Sequence, residues 1–294
     1  MRVLVLGATG MLGHKLMQKL SESMEVVGAI RGNPAAYAEH PVLGGTKLVG
    51  GVQAEDIDSV VRALAESRPD AVINAIGLIK QLPGAKNPIP SIAINSLLPH
   101  RLAQLSRAAG ARFVHVSTDC VFAGTRGMYK ESDTPDCVDL YGRSKLLGEV
   151  EAEGAITLRT SIVGRELRST SGLFEWFISQ RGTRAKGFEK AIYTGLTTSA
   201  LADVMAAVLT DHRDLAGVWQ VASEPISKYT LLSMLNDALS LGITLERETE
   251  FACDRSLDGS RFREATGWTP PSWGAMIEAF ASDPTPYEAI RGGR

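Results

Sequence analysis

A chain of 294 residues is long for one compact core, and typical domain sizes predict roughly two domains. With 44% hydrophobic and 22% charged residues, and no apolar run approaching the ~20 residues of a spanning helix, it reads as a soluble globular protein; disordered, collagenous and membrane-spanning classes are excluded. Thirty-one Lys and Arg against 33 Asp and Glu leave a formal charge of −2 with no block of like charge, which argues against a nucleic-acid partner.

The first half alternates short β-rich runs with helical stretches. "RVLVLG" is followed by "MLGHKLMQKLSES", "EVVGAIR", "IDSVVRALAES" and "DAVINAIG". Then come a helix from about 91 to 109, the strand "RFVHVST", a helix opened by "DLYGRSKLLGE", and the strand "AITLRTS". This alternation predicts an α/β fold of Rossmann type, a doubly wound parallel sheet with helices on both faces. Residues 1–164 form the predicted dinucleotide-binding domain. From 165 the rhythm loosens, and 165–294 are expected to form a smaller mixed substrate domain. Its helix "KYTLLSMLNDALSLG" is capped by Ser227 and stopped by Gly242. Segments around 192–222 are expected to return to the first domain.

Gly7, Gly10 and Gly13 in "VLGATGMLGHKL" lie between the first strand and the first helix. Glycines there allow a tight turn and close approach of a pyrophosphate to the helix N-terminus, so Gly7, Thr9, Gly10, Met11, Leu12 and Gly13 are candidate cofactor residues. The second strand ends in Arg31 with no carboxylate close by, where an NAD site usually carries an acid. A cation suits a 2′-phosphate, helped by His14 or Lys15, so NADPH is expected and NADH is the alternative. Three scattered cysteines, Cys120, Cys137 and Cys253, make neither a disulfide framework nor a zinc ligand set; no metal is expected. "MRVLVLGATG" leaves no room for a signal peptide, and the expected location is cytoplasmic.

Ser117, Thr118, Asp119 and Cys120 follow a buried strand, at the end where open α/β sheets bind ligands. Tyr141 and Lys145 stand four apart, on one helix face. Together "STDCVFAG", "YKESD" and "DLYGRSKLLGE" resemble the extended short-chain dehydrogenase/reductases, and more closely the dTDP-4-dehydrorhamnose reductase group. The resemblance implies reduction of a nucleotide-activated 4-keto-6-deoxyhexose. Tyr141 would give the proton, Lys145 would lower its pKa, and Thr118 would bind the carbonyl oxygen. It also implies that "INAIG" (Asn74, Ala75, Ile76, Gly77), Val52 and Thr160 border the cofactor, although Gly51 and Val52 depart from the group's usual Asp before a small apolar residue. Asn95, whose carbonyl is freed by Pro99 four residues on, would hold a water beside Lys145.

On the substrate side, Asp119, Cys120, Trp176 and Arg255 are candidates. Phe174, Trp176 and Tyr193 either stack on a base or fill the core; Arg255 either grips a diphosphate or is a surface cation. Thr118-Asp119-Cys120 lacks the glutamate that the related dehydratases carry. Cys120 keeps an epimerase–reductase open as an alternative, with Lys186, Glu189 or Lys190 as the second acid–base, since no histidine occurs between His115 and His212. A further alternative is a catalytically silent, NADP-binding regulatory subunit. A homodimer stays open.

Overall fold

The computed structural model describes residues 1–81 and 86–292. Strands β1 (Arg2–Leu6), β2 (Glu25–Ala29), β3 (Lys47–Val49), β4 (Ala71–Asn74), β5 (Arg112–Thr118) and β6 (Ala155–Thr160) are followed by β7 (Ile162–Val163), β8 (Arg184–Tyr193), β9 (Leu196–Thr197), β10 (Gly217–Gln220), β11 (Ile226–Ser227) and β12 (Thr244–Asp254). The large sheet has the order β10-β6-β5-β4-β1-β2-β3, parallel throughout. Val3 to Leu6 of β1 are fully buried because both faces are covered. Val3 and Val5 pack into the core that includes Leu16 of helix α1 (Met11–Leu20), whereas Leu4 and Leu6 pack with Val60 of α2 (Ile57–Ser67).

After β3 the chain crosses back over β1 to make β4, so the strand order reverses between β1 and β4. The loops leaving these two strands therefore diverge and open a crevice at their carboxyl ends.

The expected helix over 91–109 is built in three pieces: α3 (Pro88–Ser91), a π-helical turn over Ile92–Leu97, and α4 (Leu98–Ala108). Pro99 has no N–H to offer, and the Leu98 N–H reaches back five residues to the Ala93 carbonyl instead. The wide turn carries Asn95.

Further helices are α5 (Leu140–Leu146), α6 (Leu173–Ile178), α7 (Thr198–Thr210), α8 (Lys228–Ala238), α9 (Ser260–Thr266), α10 (Trp273–Ala281) and α11 (Tyr287–Gly292). The second half returns α7 and β10 to the large sheet, β10 pairing in parallel with β6. It also builds a smaller mixed sheet, β11-β8-β12, in which β8 is antiparallel to β11 and parallel to β12. Among the described residues no helix is long and apolar enough to cross a membrane.

Candidate active site

The first wall of the crevice is the glycine loop. Gly7 adopts φ +84° and lies against the Ala75 carbonyl and the Ile76 side chain, so the loops after β1 and β4 touch. A Cβ on Gly13 would stand 2.0 Å from the Gly7 carbonyl oxygen, which leaves room for hydrogen alone. Gly10 begins α1 in extended conformation without a side-chain cap, and an uncapped helix N-terminus suits an anion. Met11 meets Gly172, so the segment before α6 borders the loop. Thr9 and Leu12 lie in the same turn, Leu12 buried.

Other cofactor candidates divide by burial. Arg31 is exposed just beyond β2. His14 and Lys15, expected as its helpers, face the other way. His14 bridges the Gly10 carbonyl and the Tyr287 hydroxyl, each at 2.9 Å, and Lys15 pairs with Asp283 at 2.5 Å. Burial pushes His14 down to about 4. Instead, the guanidinium of Arg168 reaches the Tyr37 hydroxyl and lies over its ring, in the segment that follows Arg31. Val52 is a core residue whose N–H bonds the Ile30 carbonyl. Asn74 spends its amide internally: Oδ1 accepts the Ile76 N–H and Nδ2 bonds His115 Nδ1. Thr160 is buried at the end of β6, in register with Thr118. Gly77 lies beside the Asn95 amide.

The second wall is the turn after β5. The Thr118 hydroxyl donates to Asp119 Oδ1 and accepts the Cys120 N–H, both at 3.1 Å. Helix α5 is pressed onto this turn: a Cβ on Gly142 would lie 2.3 Å from the Cys120 carbonyl oxygen and 2.7 Å from Cys137 Cβ. Asp139 starts the helix by accepting the Gly142 N–H at 2.8 Å. One residue into it, Tyr141 meets the Thr118 hydroxyl.

Burial pushes the Tyr141 phenol up, reinforced by Cys120, with the Thr118 hydrogen bond acting in the opposite direction. Lys145 is turned to the Val116 carbonyl, to which Nζ donates at 2.6 Å; burial lowers it to about 8 against the pull of Glu149. Desolvation thus dominates the phenol, and Lys145, expected to lower it, is not among the groups that act on it. Burial also raises Asp119, and burial with the neighbouring Asp119 raises the Cys120 thiol to about 12, so it stays protonated at neutral pH.

Asn95 plays a different part from the one its carbonyl suggested. Gly148 lies so close to that carbonyl that a Cβ would stand 1.9 Å from the oxygen. The amide does the holding: Oδ1 accepts the Leu78 N–H at 2.8 Å, and Nδ2 donates to the Leu78 carbonyl and to Ser144 Oγ. One side chain ties the loop after β4 to α5.

The sequence reading missed Glu149 and Lys80. Glu149 makes a two-pronged, buried ion pair with Arg159 and accepts the Ser117 hydroxyl at 2.6 Å. Its place at the end of the quoted "YGRSKLLGE" was the available signal. Lys80 stands over the Tyr141 ring.

On the substrate side, Arg255 Nε donates to the Phe122 carbonyl at 2.8 Å, and its charge acts on Cys120 and Asp119. Phe174 and Tyr193 are core residues, whereas Trp176 is 40% exposed on α6, whose cap Gly172 faces Met11. Glu189 pairs with Arg247 at 2.7 Å, and Lys186 and Lys190 are exposed on β8.

A glycine loop at the reversal of a parallel sheet, with one strand between it and a Ser-Thr turn that receives a Tyr-x-x-x-Lys helix, defines the short-chain dehydrogenase/reductase architecture in its extended form. Within that class the chain belongs to the family described as the RmlD substrate binding domain, whose model matches residues 1–232. Two relatives resemble the chain over most of its length. The probable low-salt glycan biosynthesis reductase Agl14 of Haloferax volcanii is 32% identical over 236 residues, 76% of this chain and 75% of the relative. The methionine adenosyltransferase 2 subunit beta of Danio rerio is 29% identical over 259 residues, 82% and 74%. The dTDP-4-dehydrorhamnose reductase of Bacillus anthracis, solved in complex with NADP, shares the fold with a TM-score of 0.75 at 20% identity, covering 95% of this chain and 98% of that one.

Proposed function

We propose that this chain is an NADPH-dependent reductase acting on the 4-keto group of a nucleotide-activated 4-keto-6-deoxyhexose. The observation that carries the reading is the meeting of Thr118 and Tyr141 at the carboxyl end of β5, with Lys145 anchored two residues upstream at Val116. The residues of the glycine loop fit a dinucleotide: the Gly7–Gly13 contact admits no side chain, and the first turn of α1 is uncapped. Gly7 to Gly13 would hold the pyrophosphate, and Arg31 the 2′-phosphate that separates NADPH from NADH. Bound there, the nicotinamide supplies the hydride.

The chain's own residues handle the proton. Thr118 turns its hydroxyl proton from Asp119 Oδ1 to the ketone oxygen and fixes its position. Tyr141, kept neutral by burial, holds the proton that this oxygen needs: the phenol O–H bond breaks as the alcohol O–H bond forms. Lys145, at about 8, carries its ammonium at neutral pH and steadies the resulting phenolate. Asn95 and Gly148 keep α5 in place, and Asp119, Cys120 and Arg255 border the sugar and its diphosphate.

The test is NADPH oxidation by the purified chain with 4-keto-6-deoxy nucleotide sugars carrying dTDP, UDP, GDP and CDP. Turnover with one of them, reduced about 10²–10⁴-fold in Tyr141→Phe while NADPH still binds, supports the reading. A second reading follows from the Danio rerio relative, which is named as a subunit of another enzyme: NADPH binding with no oxidation across the panel would make this chain a cofactor-binding subunit.

A further inference from the structure

The proton donor of this site lies beside two carboxylates, and the lysine expected to serve it points at a backbone carbonyl. Asp119 faces Tyr141 from the turn after β5, and Asp139 from the start of its own helix; both disfavour a phenolate, as does the Cys120 sulfur. Arg255 acts on Asp119, Asp139 and Cys120 from the position that follows β12. The cation over the ring itself is Lys80, whose Nζ lies 5.4 Å from the Tyr141 centroid.

Lys80 is held there by two devices. Asp139 Oδ2 takes its ammonium at 2.7 Å while Oδ1 caps α5 through the Gly142 N–H, so one carboxylate fixes both the helix and the lysine. Two residues upstream, the Asn95 amide clasps Leu78 through both its N–H and its carbonyl. A cation over an aromatic ring interacts more strongly once the phenol becomes an anion.

We infer that Lys80 is a positioning residue for Tyr141: its ammonium offsets the Asp139 charge beside the phenol and stabilises the phenolate left when the proton moves to the substrate oxygen. This rests on Tyr141 as the proton donor. Lys80 thereby makes Tyr141 the stronger acid. Removing it makes the phenol a weaker acid.

The experiment uses the full chain with Lys80→Met, Lys80→Arg and the double variant Lys80→Met/Asp139→Asn. With a turned-over nucleotide sugar, Lys80→Met lowers kcat about tenfold and leaves KM within about twofold. Lys80→Arg restores kcat. Asp139→Asn keeps the helix cap through its amide oxygen while deleting the charge, and recovers most of the loss. Independently of turnover, tetranitromethane nitrates phenolates, so Tyr141 nitration, located by peptide mass spectrometry, slows severalfold in Lys80→Met and not in Lys80→Arg. Unchanged nitration, or a raised KM at unchanged kcat, overturns the inference. If no nucleotide sugar is reduced by the wild-type chain, the reductase reading falls, and the nitration rates alone decide the role of Lys80.

Discussion

A methyl group at position 13 would press on the Gly7 carbonyl at 2.0 Å, a separation that neither the first strand nor α1 can relieve without moving apart. Gly13→Ala therefore lowers NADPH affinity by at least about tenfold and stability by about 1–3 kcal/mol, read by fluorescence titration and urea unfolding. At the same scale, Lys145 at about 8 sets a pH dependence. On the proposed reading its ammonium, present below that value, steadies the phenolate, so kcat falls as pH rises through about 8, and Lys145→Met removes this step along with most of the activity. Tyr141, Lys145 and the glycines were legible because each relation is local: four residues of helix, or a turn between one strand and one helix. Lys80–Asp139 and Glu149–Arg159 were not. Lys80 reaches across 59 residues of chain, and nothing in the run "GLIKQ" separates it from an ordinary surface lysine until α5 is docked beside it.

Elements carry the geometry that single residues cannot. Asn95 sits in the π turn, and its amide closes on Leu78 and Ser144 at once. Asn95→Ala leaves the Leu78 N–H and carbonyl and the Ser144 hydroxyl without that partner. The expected cost is about 1–3 kcal/mol in denaturant unfolding, with a fall in kcat because α5 loses its tie to the loop that bears Lys80. Pro99 announced an interruption in the sequence, since it cannot donate to Asn95. That the interruption would take the form of a widened turn, with Gly148 filling the space over the freed carbonyl, depended on a neighbour from the turn after α5. Local propensity carries no record of such a neighbour.

Across the whole molecule, the last described helix folds back on the first. Tyr287 reaches His14, Asp283 pairs with Lys15, and Arg291 joins the buried Glu175. This contact explains why His14 and Lys15, legible as polar residues next to a phosphate-binding loop, are unavailable to a phosphate. It also makes the fold sensitive to acid. His14 falls from an ordinary 6.5 to about 4 on folding, so its favourable contribution is complete above about 6.5 and is lost as pH falls from there towards 4, a change of about 3 kcal/mol. Urea unfolding at pH 7 and pH 4.5 checks this, and His14→Gln should flatten that part of the stability profile.

The place of β10 at the edge of the large sheet has a consequence for synthesis. Its partner β6 emerges from the ribosome long before it, and the intervening residues 161–216 include the whole of β8. Through that interval β6 offers an open edge to any strand nearby, the exposure that invites aggregation in a nascent chain. A chain released at residue 164 would have every glycine of the loop and both Tyr141 and Lys145, yet its sheet would end at that open edge. The large sheet is therefore finished only with the second half of the chain, and the apparent seam after β6 is a poor place to stop translation, cut the chain or graft a partner.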